Sequence, residues 1–253
     1  MAGAAAPGRL KWHVGTAVAL RDETATARTI TFEVPTWPGH IAGQRVDIRV
    51  TAADGYSAIR SYSIASAPSA DGRIELSVER LSDGEVSPYL TQDLAVGERI
   101  ELLGPIGGWF VWRENQTEPV LLIAGGSGIV PLMAMIRSRA TARSTAPFRL
   151  LYSVRHSASV WYRDELQALS TDDHGVAVTY VYTRTAPPAF PRPPGRVDAT
   201  LVAEASWPST LLPTCYVCGP TPFVELVAGL LTAAGHPPDR VRTERFGPTG
   251  DRR

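Results

Sequence analysis

Apolar and polar residues alternate with period two through the first half of the chain, the pattern of strands with one buried face. Ile30, Phe32 and Val34 fall on one side of such a strand, Val46, Ile48 and Val50 on one side of another, and Ile74, Leu76 and Val78 on one side of a third. Turn-forming pairs separate them: Pro38-Gly39, Asp54-Gly55, Asp71-Gly72 and Asp83-Gly84. Short strands between tight turns predict a small antiparallel barrel over residues 11–110, with one short helix inserted near 86–94.

Beyond residue 118 the period changes. Val120-Leu121-Leu122-Ile123-Ala124 is a continuous apolar run, as in a strand covered on both faces. Helix-like text follows at 133–140, then a strand at 149–154, a helix at 164–169 and a strand at 176–183. After a proline-rich loop at 186–195 come a helix at 199–205, a strand at 215–218 and a helix at 223–234, the last placing Phe223, Val227, Leu230 and Leu231 at helical spacing. This alternation predicts a parallel, doubly wound sheet. The fold expected is therefore an antiparallel Greek-key barrel followed by a doubly wound parallel α/β domain. Its boundaries fall at 1–112 and 118–253, with a polar linker at 112–118.

Composition narrows the function. A chain of 253 residues has room for two cores. Its formal net charge is zero, which argues against a protein built to coat nucleic acid or an anionic membrane. Residues 1–7 are small and bland, and Arg9 and Lys11 follow where a secretory signal would continue apolar. The uncharged stretch 119–136 contains Gly125-Gly126-Ser127-Gly128 and Pro131, so it reads as strand, turn and helix rather than a membrane span; a cytoplasmic location is expected. Cys215 and Cys218 are the only cysteines. Three apart on one strand, they point to opposite faces, against a shared metal or disulfide, and no iron–sulfur cluster can be ligated by four cysteines of this chain. No metal site is expected among the five histidines, which show no ligand spacing.

Four short motifs carry chemistry. In Arg60-Ser61-Tyr62-Ser63, on a predicted barrel strand, Arg60 and Tyr62 share a face, setting a phosphate-seeking guanidinium beside an aromatic plate, with Ser63 at the strand end. Alone, this reads equally as an ordinary surface strand. Gly84, Glu85, Val86 and Ser87 precede the inserted helix and offer free backbone N–H groups to an anion, or a plain helix cap. Gly126, Ser127, Gly128 and Ile129 follow the buried strand and open a helix. The turn resembles a dinucleotide fingerprint, except that Pro131 stands at the third glycine and no acidic residue ends the next strand, which reads Tyr152-Ser153-Val154-Arg155-His156. Cys218, Gly219 and Pro220 end a late parallel strand, at the edge where open α/β sheets bind ligands.

Taken in order, and with Gly104-Pro105-Ile106-Gly107 and Glu244-Arg245-Phe246-Gly247, these motifs resemble the ferredoxin–NADP reductase superfamily over residues 10–250. The resemblance implies an FAD-binding barrel and an NAD(P)-binding α/β domain. Arg60, Gly84, Val86 and Ser87 would hold the FAD diphosphate, with Ser61, Val78 and Glu85 counted in the same site. Tyr62 would stack on the flavin ring and Ser63 bond its reactive edge. Gly126 to Ile129, Gly219 and Pro220 would line the nicotinamide dinucleotide, with Cys218 beside the hydride-carrying carbon. Phe246 would lie by the flavin near the nicotinamide subsite, and Glu244 would serve as a nearby acid.

NADPH is the expected donor, with NADH possible. The 2′-phosphate needs positive charge, and Arg155 and Arg184 end the second and third predicted parallel strands. Arg196, in Gly-Arg-Val, is similar to the loop closing that subsite in bacterial flavodoxin reductases. Larger members of the superfamily carry a fused ferredoxin with clustered cysteines. This chain holds no such cluster, so a separate ferredoxin or similar small iron–sulfur protein, serving an oxygenase, is expected as acceptor. The alternatives are a free-flavin or ferric-chelate reductase, and a non-catalytic flavin-bearing electron-transfer subunit.

Overall fold

The computed structural model describes residues 10–52, 54–171 and 175–247. The amino-terminal stretch 1–7, read above as lacking a signal, lies outside them. Six strands build the first half: β1 (Lys11–Thr24), β2 (Ala27–Glu33), β3 (Arg45–Thr51), β4 (Ser57–Ser63), β5 (Arg73–Glu79) and β6 (Arg99–Ile106). They pair antiparallel in the order β4-β3-β6-β1-β2-β5. Just past β4, Ile64 bridges Leu76 of β5, and the N–H of Ala65 donates to the Glu75 carbonyl at 2.7 Å, closing the sheet on itself. Closure removes the exposed edges that an open sheet would leave. The three predicted apolar faces meet inside: Ile30, Phe32, Val34, Val46, Ile48, Ile74, Leu76 and Val78 form one buried core, with Val50 packed against it. The inserted helix is a single wide turn, Tyr89–Asp93, which plugs this core with Leu90.

The second half alternates β7 (Val120–Gly125), α1 (Ile129–Thr141), β8 (Phe148–His156), α2 (Arg163–Thr171), β9 (Val176–Thr185), α3 (Ala199–Ala205), β10 (Thr214–Pro220), α4 (Thr221–Ala233) and β11 (Val241–Phe246). All strands run parallel in the order β11-β10-β7-β8-β9. Alternate residues of β7 face two different cores: Val120, Leu122 and Ala124 meet α1 and Leu166, whereas Leu121 and Ile123 meet Leu201, Val202, Val224 and Val227 of α3 and α4. The continuous apolar run of β7 follows from that double cover. Among the described residues no helix is long and apolar enough to cross a membrane.

Three details differ from the sequence reading. Helix α1 begins at Ile129, not 133, because Pro131 falls in its first turn, where no intrahelical donor is lost. Helix α4 buries Val224 with Val227 and Leu231, while Phe223 lies at its start against Gly125 and Gly219. Trp112, placed at the start of the polar linker, is buried: it packs edge-on against Phe148 at 5.4 Å.

The halves are fastened across α1 and β5. Arg137 of α1 donates to Glu75 of the barrel at 2.8 Å, to the Ala65 carbonyl at 3.0 Å, and through two nitrogens to Glu165 of α2 at 2.8 and 2.6 Å. Its guanidinium lies 5.0 Å from the Tyr162 ring centre. Tyr162 continues the joint: its hydroxyl donates to Ser77 at 2.5 Å and its N–H to Glu23 at 3.0 Å. Ser77 in turn meets Thr29, whose hydroxyl bonds the other oxygen of Glu23 at 2.6 Å. Removing Arg137 strands Glu75 and Glu165 in a partly buried joint. Arg137→Ala is expected to destabilise the protein by about 3 kcal/mol. Urea unfolding checks this, and a loss below about 0.5 kcal/mol would show a surface pair of little weight.

Candidate functional site

Ladder register decides which motif residues share a face. In β4, Arg60 lies opposite Ile48 and Tyr62 opposite Val46, so both side chains stand on the core-facing side at the barrel mouth. Tyr62 is half-buried against the core, and burial raises its phenol well above the usual value, with Arg60 pulling the other way. Arg60 is open to solvent and pairs with Glu85 at 2.8 Å. Ser61, on the other face, gives its hydroxyl to Asp47 at 2.5 Å, so its side chain is turned away from the Arg60–Tyr62 group. Val78 is sealed in the barrel core, and Val86 is equally buried. Either can meet a ligand only through its backbone. The Ser87 hydroxyl accepts from the Leu81 N–H at 3.1 Å, which folds the 81–87 loop back on itself. Gly84 is tight there: a Cβ would come within 2.8 Å of that hydroxyl oxygen.

The facing elements come from the switch point of the parallel sheet. Strand order reverses between β7 and β10, and the connections diverge to opposite faces, opening a crevice at the carboxyl ends. The Gly126-Ser127-Gly128 turn and the Cys218-Gly219-Pro220 strand end both lie there. They touch through backbone. A Cβ on Gly128 would stand 2.2 Å from the Cys218 carbonyl oxygen, so no larger residue fits without moving β10. Gly126 has φ 55°, a left-handed conformation that favours glycine. Ser127 is partly exposed and Ile129 fully buried as α1 begins.

Cys215 and Cys218 do face opposite cores, as their spacing on a strand requires. Burial pushes the Cys218 thiol well above its ordinary pKa, and the adjacent Glu244 carboxyl adds to this. Glu244 is the register partner of Cys218, and Phe246 that of Pro220. The Glu244 carboxyl is pushed up to about 7 by burial, against the pull of Arg45. Arg45 Nη1 lies 4.0 Å from one of its oxygens, and the other has no hydrogen-bond partner among the described residues.

Arg45 carries no motif and was not anticipated. It is the antiparallel partner of Ser63. The Ser63 hydroxyl is likewise buried and without a partner among the described residues. A continuous line of neighbours therefore runs from Ser63 to Arg45 by register, to Glu244 across the domain gap, to Cys218 by register, and to Gly128 by backbone contact. Two polar atoms on this line have no partner among the described residues, and a ligand bound between the halves would supply one. Buried hydroxyl, aromatic plate and open guanidinium on one side, and a glycine crevice on the other, fit a flavin facing a dinucleotide.

Arg155 and Arg184 end neighbouring strands: Val154 pairs with Tyr182 and His156 with Thr185. The Gly195 N–H donates to the Tyr182 carbonyl at 2.9 Å, which brings Arg196 to the same edge. All three arginines are exposed.

Comparison with known proteins agrees with this geometry. Residues 18–111 match the oxidoreductase FAD-binding domain family and residues 122–229 the oxidoreductase NAD-binding domain family. The ferredoxin reductase component of 3-ketosteroid-9-alpha-monooxygenase from Mycolicibacterium smegmatis is 32% identical over 232 residues, covering 89% of this chain and 63% of that protein. The chain thus spans less than two thirds of the length of such curated relatives. The flavohem-like FAD/NAD-binding domain of nitric oxide dioxygenase from Vibrio cholerae superposes with a TM-score of 0.82 at 25% identity, over 93% of this chain and 99% of that one. A ferredoxin NADP+ reductase from Neisseria gonorrhoeae, solved with FAD and NADP bound, shares the fold at a TM-score of 0.76 and 22% identity, over 93% of this chain and 98% of that one. With both halves matched in order and the crevice between them built as described, the chain belongs to the ferredoxin–NADP reductase superfamily of FAD- and NAD(P)-dependent flavoprotein oxidoreductases.

Proposed function

We propose that the chain is an NADPH-dependent reductase that carries FAD and delivers electrons to a separate ferredoxin, or similar small iron–sulfur protein, of an oxygenase system. The observation that supports this best is the line of neighbours from the unpartnered Ser63 hydroxyl to the Gly128 crevice. Bound FAD would supply the redox chemistry, accepting a hydride from the nicotinamide and handing its electrons on. The chain's own work is to hold, orient and shield. Arg60 and the backbone of Gly84, Glu85, Val86 and Ser87 grip the diphosphate, and Tyr62 backs the ring. Ser63 offers its hydroxyl to the ring edge. Gly126, Ser127, Gly128, Ile129, Gly219 and Pro220 let the dinucleotide approach the backbone. The Cys218 thiol, enclosed and kept protonated by burial, does not compete as a nucleophile, and its backbone borders the dinucleotide turn at Gly128. Glu244 holds a proton close to neutral pH, and Phe246 covers the subsite.

The oxygenase assignment draws on relatives whose names are those of oxygenase reductase components. These 253 residues contain only Cys215 and Cys218, on opposite faces, so the cluster that receives the electrons has to come from outside them. A second reading, reduction of exchangeable free flavin, is favoured by the Arg60–Glu85 pair, which ties up the guanidinium a bound flavin would use. Steady-state NADPH oxidation with a panel of small iron–sulfur proteins, set against free flavin, separates the two. Turnover with the iron–sulfur proteins should be faster; faster turnover with free flavin would favour the second.

Arg155, Arg184 and Arg196 form the proposed 2′-phosphate clamp. One charge-assisted contact contributes about 1.5–3 kcal/mol, so kcat/KM should favour NADPH over NADH by about 10- to 100-fold. Arg155→Ala and Arg184→Ala should each narrow that ratio. Equal use of the two cofactors by the wild type, or an unchanged ratio in both variants, would show these arginines to be surface charge.

The buried carboxyl of Glu244 gives a pH dependence of known sign. Folding raises it from 4.5 to about 7, so between those values the folded chain keeps a proton that the unfolded chain has released. Stability should therefore fall as pH rises through that window and level off above it. In Glu244→Gln that decline should be smaller, read as urea midpoints across the pH range. Parallel curves for the two proteins would place the carboxyl in an ordinary, solvated setting.

A further inference from the structure

Glu85 lies in the loop assigned to the flavin diphosphate, yet its charge has the wrong sign for that task. Both carboxylate oxygens are engaged. Arg60 Nη2 donates to Oε2 at 2.8 Å, and the Tyr56 hydroxyl donates to Oε1 at 3.0 Å. Arg60 Nη1 donates to the Ile59 carbonyl at 2.8 Å. Tyr56 is itself fixed at the β3–β4 turn, where its N–H donates to Asp54 at 3.0 Å and its carbonyl accepts from Ala52 at 2.8 Å. The pair stands in solvent, with side chains 51% and 49% exposed, so it stabilises the fold little and exchanges easily.

We propose that Glu85 is an internal competitor for the flavin diphosphate, pre-aligning the Arg60 fork while weakening its hold on any phosphorylated flavin. This rests on the reading of Arg60 as the diphosphate partner. A diphosphate that takes Nη2 displaces a charge-assisted bond already made to Glu85. One that binds alongside instead meets a like charge a few ångströms away. Both routes lower affinity, and both act only on ligands that carry phosphate. Tyr56 secures the carboxylate in the competing position. Flavin bound on these terms is exchangeable, which gives Glu85 a part in deciding whether flavin behaves as a fixed group or as a passing one.

Glu85→Gln keeps the side-chain shape and removes the charge. Titrations of the full chain with FAD and with riboflavin, which lacks phosphate, read the effect through quenching of flavin fluorescence. At low salt the Kd for FAD should fall about fivefold in Glu85→Gln, in line with one exposed charge, and about twofold in Tyr56→Phe. The gain should shrink in high salt, where the charges are screened. The Kd for riboflavin should not move. An unchanged or weaker Kd for FAD in Glu85→Gln would overturn the proposal, as would equal tightening toward riboflavin, which would mean a reshaped pocket. Wild-type chain that bound neither ligand would overturn the flavin reading itself, and this proposal with it.

Discussion

Arg137 leaves helix α1 with its side chain only 16% exposed, and a cation so enclosed has to be matched by anions and carbonyls. Its partners come from both halves of the molecule: Glu75 and the Ala65 carbonyl from the barrel, Glu165 from the α/β half. The placement matters for the site. Ala65 stands two residues beyond Ser63, and α1 starts immediately after Gly128. One guanidinium thus ties the chain segment that carries the Ser63 hydroxyl to the helix that begins after the Gly126-Ser127-Gly128 turn. The ring of bonds through Tyr162, Ser77, Thr29 and Glu23 adds a second fixed point on the same seam. Tyr162 adopts φ 54° there, a costly conformation for a bulky residue, held by bonds from its hydroxyl and its N–H.

Against that fixed geometry, the unpartnered atoms acquire meaning. A buried hydroxyl or carboxyl oxygen without a hydrogen bond costs about 1–3 kcal/mol. Ser63 and Glu244 both bear such an atom, one on each side of the domain gap, and Arg45 lies between them. Glu244 lowers its own cost by keeping its proton, which is why its pKa rises to about 7 even with Arg45 in reach. Cys218, its register partner on β10, does the same. Near neutral pH the Cys218 thiol therefore stays protonated, while the Glu244 carboxyl stands close to its midpoint, and burial suppresses charge on this side of the gap.

Much of this was legible in the sequence because it is local. Period two in the barrel, the uninterrupted apolar β7 and the glycine turn after it are set by residues adjacent in the chain, and the strand register then puts Arg60 and Tyr62 on one face as the spacing requires. What escaped depends on partners far away in sequence. Arg45 matters only because it pairs with Ser63 and reaches Glu244, contacts no window of the chain displays. Trp112 looked like linker because its neighbours 113–118 are polar, but its own ring enters the α/β core. Ser61 and Val78 were counted in the flavin site although their own alternation turns them from it, and the structure bears the alternation out: Ser61 bonds Asp47, and Val78 is sealed in the core.

The site divides its work by burial. Groups proposed to lie at the reacting rings, Ser63, Cys218 and Glu244, are enclosed, where position is fixed and charge is suppressed. Groups that would hold phosphates, Arg60 on one side and Arg155, Arg184 and Arg196 on the other, are open to water. Exposed charges bind phosphates through contacts that salt screens and competing carboxylates can weaken. On the proposed assignment, changing an arginine or adding a carboxylate at those rims would alter which cofactor is retained, and how firmly, without disturbing the enclosed groups. On this reading Glu85 beside Arg60 acts at the flavin rim, and the arginines past β8 and β9 are its counterpart at the 2′-phosphate rim. Substitutions at the rims can therefore act on cofactor choice while the crevice at the switch point stays constrained by backbone contact, most tightly where Gly128 meets the Cys218 carbonyl.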